Sequence, residues 1–93
     1  MGNKDRRVAR IWKEINELLW NQWDPIGVKG VDAARDEYHD YIHGIFCVLE
    51  DRANVDQIAK HLHHIETVKM GLKGDMHRCM KVARALLQLN LSE

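Results

Sequence analysis

One serine, one threonine and one proline are all that the 93 residues contain. Ser92 stands in a terminal stretch of the kind that frays, and Thr67 is the sole threonine, so no serine triad can be built. Neither a P-loop nor a dinucleotide-binding glycine fingerprint occurs, and the strands that such loops require have no counterpart in the pattern. Two cysteines, Cys47 and Cys79, make no framework of disulfides and read as free thiols. No apolar run approaches the roughly 20 residues that span a bilayer. The opening MGNKDRRVARIWKE is charged where a signal peptide needs an apolar stretch, and Arg6 stands where a myristoylation signal on Gly2 would need Ser or Thr. These absences predict a soluble, cytoplasmic protein without a membrane anchor.

What is present suits one folded domain. Hydrophobic residues make up 45% of the chain and charged residues 30%, an ordinary globular balance, and a chain of this length closes around a single core. Net charge is zero, yet unevenly spread: residues 1–23 carry +2, residues 24–56 carry −5 and residues 57–93 carry +3. An acidic middle between basic ends steers association with charged partners.

Apolar spacing predicts four helices and no strand. Val8, Ile11, Trp12, Ile15, Leu18, Leu19 and Trp23 form one face of a helix over 6–23, which Pro25 must end because it lacks an amide hydrogen and disfavours helical geometry at Asp24. Asp32 is the expected N-cap of a second helix over 32–51, with Ala34, Tyr38, Ile42, Ile45, Phe46 and Leu49 inward. Asn54 and Gln57 have the spacing of a capping box opening a third helix over 54–71, with Val55, Ile58, Leu62, Ile65, Val68 and Leu72 inward. Asp75 caps a fourth over 75–90, whose inner side reads Met76, Cys79, Met80, Ala83, Leu86, Leu87 and Asn90. Short connections between amphipathic helices predict an all-α fold, a compact antiparallel four-helix bundle.

The segments WDPIGV, DEYHDYIHGI, IAKHLHHIETVKMGL and KVARALLQL resemble the YugE-like family of small bacterial proteins. That family pairs a Trp-Asp-Pro-Ile-Gly loop with an Asp-Glu-Tyr-Asp segment, an Ile-Glu-x-x-x-Met-Gly-Leu segment and a terminal Val-Ala-x-x-Leu-Leu helix. The resemblance spans nearly the whole chain and falls on Trp23, Asp24, Pro25, Gly27, Asp36, Glu37, Tyr38, Tyr41, Glu66, Met70 and Gly71. It departs at His39-Asp40, where the family places an acid directly after the tyrosine. It implies a fold rather than an activity, and proteins of this kind are candidate immunity factors beside bacterial toxins.

The WDPIGV loop admits two readings. In one, Asp24 ends helix one and hydrogen-bonds loop amides while Ile26 and Val28 plug the bundle; in the other, the loop and its tryptophans form a contact site. Trp20 lies opposite the centre of helix one's apolar stripe, so it either stands in water as a partner anchor or is buried under residues 24–31. On helix two, Asp36, Asp40, His43 and Cys47 share an outward flank with His39 alongside. His39 and His43 have the i, i+4 spacing of metal ligands and Cys47 could add a soft one, although a solvated face with a chance thiol accounts for the same pattern. The HLHH run places histidines to either side of inward Leu62, and Cys79 points inward as a core thiol. Arg6, Arg10, Lys13, Arg78 and Lys81 could meet phosphates, but the helix-two acids oppose nucleic-acid binding.

The leading expectation is therefore a non-enzymatic protein-binding module without a cofactor or catalytic residue. Asp36, Glu37 and Asp40 would meet a basic partner, such as a toxin domain, beside Trp20, Trp23, Asp24 and Tyr41. The alternatives are a metal-binding protein using His39, His43 and Cys47, and a homodimeric scaffold closed through the Trp20 patch.

Overall fold

Apolar spacing of three and four residues is realised as four helices in the computed structural model, which describes residues 2–91, with side chains from Arg6 onward. Helix α1 (Gly2–Leu18) widens into a π-helical turn at Leu19–Trp23. A 3-10 turn at Asp32–Ala34 leads to α2 (His39–Glu50). Helix α3 (Val55–His64) likewise widens into a π turn at Ile65–Lys69, and α4 (Met76–Leu87) follows. No strand occurs among the described residues, and the fold is an all-α antiparallel bundle. None of the described helices is long and apolar enough to cross a membrane. Principal extents of 42 × 32 × 19 Å fit two helix layers, since one helix with its side chains is about 10–12 Å across. Ile11, Ile15, Leu19, Ile45, Ile58, Leu62 and Leu86 fill the space between the layers, none more than 1% exposed.

The expected caps form. Asn54 Oδ1 accepts from Gln57 N at 2.9 Å while Gln57 Oε1 accepts from Asn54 N at 2.8 Å, a reciprocal box that satisfies two otherwise orphaned amides of α3. Asp75 Oδ1 accepts from Arg78 N at 3.0 Å and opens α4. Asp32 does not cap α2: the helix begins at His39, seven residues later than expected, and Asp32 only opens the 3-10 turn. Tyr38, expected inward, does enter the core with no exposed surface, just ahead of the helix rather than within it.

Helices one and three end alike, each with an i→i+5 backbone bond: Asp24 N to Leu19 O at 2.8 Å and Met70 N to Ile65 O at 2.9 Å. Val68, expected inward, is 63% exposed, while Glu66, four residues after inward Leu62 and so on the same face, is fully buried. Leu72, Met76 and Leu87 also point outward, against expectation, and Val82 takes a core position instead. Leu72 follows Gly71, whose φ of +68° ends the helix and leaves Leu72 N donating back to Glu66 O at 2.8 Å.

Gly74 is the position where a side chain costs most. Its φ is +86°, and an added Cβ would sit 2.6 Å from His63 Nε2 and 2.8 Å from Thr67 Cγ2. Gly27 has a comparable φ of +78° with nothing within 4 Å. Urea denaturation should therefore show Gly27→Ala losing about 1 kcal/mol to backbone strain, and Gly74→Ala about 2 kcal/mol to strain plus crowding. Equal losses would show that the His63 side chain yields freely.

Candidate functional site

On the inner face of the π turn that ends α3, Glu66 is the one charged side chain among the described residues with no exposed surface. Its carboxylate is saturated. Oε2 accepts from Trp23 Nε1 at 2.8 Å and Arg78 Nη2 at 2.9 Å, and Oε1 accepts from Asp75 N at 2.8 Å. Three segments, the ends of α1 and α3 and the start of α4, are thus tied to one buried group. Burial alone would lower the basicity of the Arg78 guanidinium, but its bond to Glu66 and the attraction between them raise it, so the ion pair is held. Cys79, in the same core, is pushed up to about 12 by burial first and by the Glu66 charge second. A thiol in that state is no nucleophile at neutral pH, and its place is packing.

One residue beyond Trp23, Asp24 adopts a left-handed backbone (φ 35°, ψ 56°) and turns its carboxylate onto the loop that follows. Oδ1 accepts from Val28 N at 2.8 Å and from the Tyr38 hydroxyl at 2.7 Å, and Oδ2 accepts from Lys29 N at 3.0 Å. The Tyr38 oxygen in turn accepts from Ile26 N at 3.2 Å, and its ring packs on Trp23 with centroids 5.5 Å apart. Burial would raise the Asp24 carboxyl, but the Tyr38 bond and the loop amides outweigh it and hold the group below the usual aspartate range. Tyr38 moves the other way: burial and then the bond to Asp24 hold its phenol protonated. The WDPIGV loop is therefore an internally satisfied brace. Val28 packs against the core as a plug, whereas Ile26 remains 43% exposed.

The expected aromatic anchors are displaced by the same geometry. Trp23 is 1% exposed and Trp20 5% exposed, so neither presents a face to a partner. Trp20 is covered because Arg35, at the end of the 3-10 turn, lays its guanidinium 5.1 Å from the ring centroid, a cation-π contact that its ion pair with Glu17 at 3.5 Å holds in place. A homodimer through an exposed Trp20 loses its surface for that reason. Tyr41 is half-buried against the core, and both Asp24 oxygens are engaged within the chain. The acids stand differently. Asp32, Asp36, Glu37 and Asp40 are all exposed, and among the described residues none of them forms an ion pair.

On α2, His43 Nε2 lies 3.6 Å from Cys47 Sγ, and its ring packs against Trp12 with centroids 6.1 Å apart. His39 is directed elsewhere, lining a groove of about 230 Å³ between α1 and α2 with Trp12, Lys13, Asn16 and Ile42. Among the described residues no three His, Cys, Asp or Glu side chains are grouped to hold a metal ion. In the HLHH run, His61 is half-buried against α2, where a Cβ on Gly44 would come 3.3 Å from its Nε2. Burial pushes the His61 imidazole down, and the neighbouring His64 adds to the effect, so it sits neutral.

Besides Arg78 Nε, two polar atoms of α1, Trp12 Nε1 and Asn16 Oδ1, are buried without a hydrogen-bond partner, a condition that costs about 1–3 kcal/mol per group. Asn16 belongs to none of the candidate sites that the sequence pattern suggests, and Trp12 falls on the apolar face of helix one. The signal available was weak: an amide four residues after a tryptophan on the margin of an apolar stripe. Compared with known proteins, the chain matches no family model, no curated protein and no solved structure.

Proposed function

We propose that this protein is a non-enzymatic binding module whose acidic segment, Asp36, Glu37 and Asp40 with Asp32 beside them, engages a basic protein surface. The observation that carries the reading is four exposed carboxylates within nine residues that make no ion pair among the described residues. A carboxylate already paired would have to be stripped of its cation first; these need not be. The segment is also fixed in space, because Tyr38, between Glu37 and His39, is bolted to Asp24 at 2.7 Å. Preformed charge of one sign raises association rate and selects partners of the opposite sign.

An immunity-type antagonist of a bacterial toxin is the concrete form of this proposal, with a nuclease as the favoured target, since carboxylates can occupy the cationic surface that normally holds substrate phosphates. Kinship with the YugE-like family belongs to the same proposal. In its support, Trp23, Asp24, Tyr38 and Glu66, far apart in that family's pattern, form one bonded brace. The brace supports kinship in fold and leaves the activity to the acidic segment. Titration against a basic toxin domain tests the reading. The Asp36→Asn, Glu37→Gln, Asp40→Asn variant should bind at least roughly tenfold more weakly, mostly through slower association and with a shallower dependence on salt. Unchanged affinity in the triple variant rejects this surface.

A further inference from the structure

Asn16 follows Trp12 by one helical turn, and on such neighbouring positions the Cβ atoms lie roughly 5–6 Å apart. Both side chains line the α1–α2 groove, and each contributes one buried polar atom with no protein partner: a donor, the Trp12 indole Nε1–H, and an acceptor, Asn16 Oδ1. Folded proteins satisfy the great majority of such atoms. Two orphans of opposite kind on successive turns of one helix, beside the same groove, define a chemical complement.

We propose that this groove is a binding site for a primary carboxamide, whose C=O accepts from Trp12 Nε1–H while the N–H on the same side donates to Asn16 Oδ1, an arrangement that a trans backbone amide, with C=O and N–H pointing apart, does not offer. The choice of ligand follows from the pairing. A carboxylate offers acceptors only and leaves Asn16 unmet; an ammonium offers donors only and leaves Trp12 unmet. An alcohol has both functions on one oxygen, whereas an amide carries them on two atoms, which suits partners placed a helical turn apart. The volume agrees. About 230 Å³ is below the roughly 300–1,000 Å³ of drug-sized pockets and fits one side-chain-sized group, with the Trp12 ring and Ile42 available to flank its methylenes. His43, packed on Trp12, steadies the indole. The groove adjoins the acidic segment of the proposed function through His39, but its two orphan atoms belong to α1, so substitutions of the acids and of Asn16 test the two readings separately.

Three tryptophans give three indole N–H signals in a nitrogen-15 correlation spectrum of the full chain, and Trp12→Phe identifies which belongs to Trp12. Titration with N-acetylglutamine methylamide should displace the Trp12 signal saturably, while the Trp23 signal, held by Glu66, stays in place. The glutamate, norvaline and 5-hydroxynorvaline counterparts share the same backbone amides and should displace it at least about tenfold less well, the effect of one unmade hydrogen bond. Asn16→Ala should weaken the glutamine probe by a similar factor, with the unmoved Trp23 signal reporting an intact fold. Free L-glutamine run in parallel tells whether the amide is recognised on a small molecule or only within a peptide; a response to either supports the site. A stationary Trp12 signal with both glutamine probes, equal displacement by the glutamate, norvaline or hydroxyl probe, or undiminished binding in Asn16→Ala overturns it.

Discussion

Glu66→Ala should lower the unfolding free energy by about 4 kcal/mol, as much as a large core truncation. The figure is built from what the carboxylate satisfies. Removing it orphans the Trp23 indole N–H and the Asp75 amide, at about 1–3 kcal/mol for each buried donor. It also leaves the Arg78 guanidinium without its counter-charge, although a side chain 33% exposed recovers part of that by facing water. A domain of this size has about 5–15 kcal/mol in total, so the alanine variant approaches the limit of folding at all. Glu66→Gln supplies the graded control: it keeps shape and one acceptor, loses the charge, and should cost roughly half as much. Urea denaturation followed by tryptophan fluorescence measures both. A loss below about 1 kcal/mol in the alanine variant would show that the buried carboxylate is incidental to the fold.

How far these features could be read from residue order depends on whether local pattern or tertiary contact decides them. The capping box at Asn54–Gln57 and the cap at Asp75 were legible because both are local bargains between residues three apart. The four apolar stripes were legible because burial imposes a helical period. Where contacts between distant segments decide, local pattern is not enough. Glu66 continues the inner stripe of α3 by its spacing of four from Leu62, but its charge argues against burial, and only partners 43 and 12 residues away satisfy it there. The bond that holds Tyr38 just ahead of α2 is likewise invisible to local pattern, since its partner lies 14 positions earlier. For Trp20 the spacing leaves exposure and burial both open, because its cover includes the Arg35 side chain, 15 positions on. The acidic segment was legible as exposed charge, for polarity needs no fold to predict its side; the Trp12–Asn16 groove was not, because it exists only where α1 meets α2.

Asp24→Ala should cost about 3 kcal/mol, and the part of that advantage contributed by the carboxylate's charge should disappear in acid. The carboxylate takes three hydrogen bonds, from Val28 N, Lys29 N and the Tyr38 hydroxyl, and bonds to a charged acceptor contribute about 1.5–3 kcal/mol each when well buried; the exposed Lys29 end contributes least. Alanine adds strain, because the left-handed φ of 35° is tolerated by aspartate and asparagine far better than by a residue without a local hydrogen-bonding side chain. Asp24→Asn therefore separates the two contributions, keeping the backbone preference and one acceptor, and should cost about 1 kcal/mol. The pH dependence carries a definite sign. The unfolded carboxyl takes up its proton near 3.8, while the folded one, depressed by Tyr38 and the loop amides, does so only at lower pH. Between those points the unfolded chain binds more protons, so stability contributed by Asp24 is fully present above about pH 5 and drains away as pH falls through 3.8 and below. Comparing wild type with Asp24→Asn cancels the other acids, including Asp75, which is depressed in both proteins. The stability difference between the two should be flat from neutral pH to about pH 5 and shrink toward zero below it. A difference that persists unchanged below pH 3 would mean that the loop is held by backbone geometry alone and that the carboxylate's charge contributes nothing.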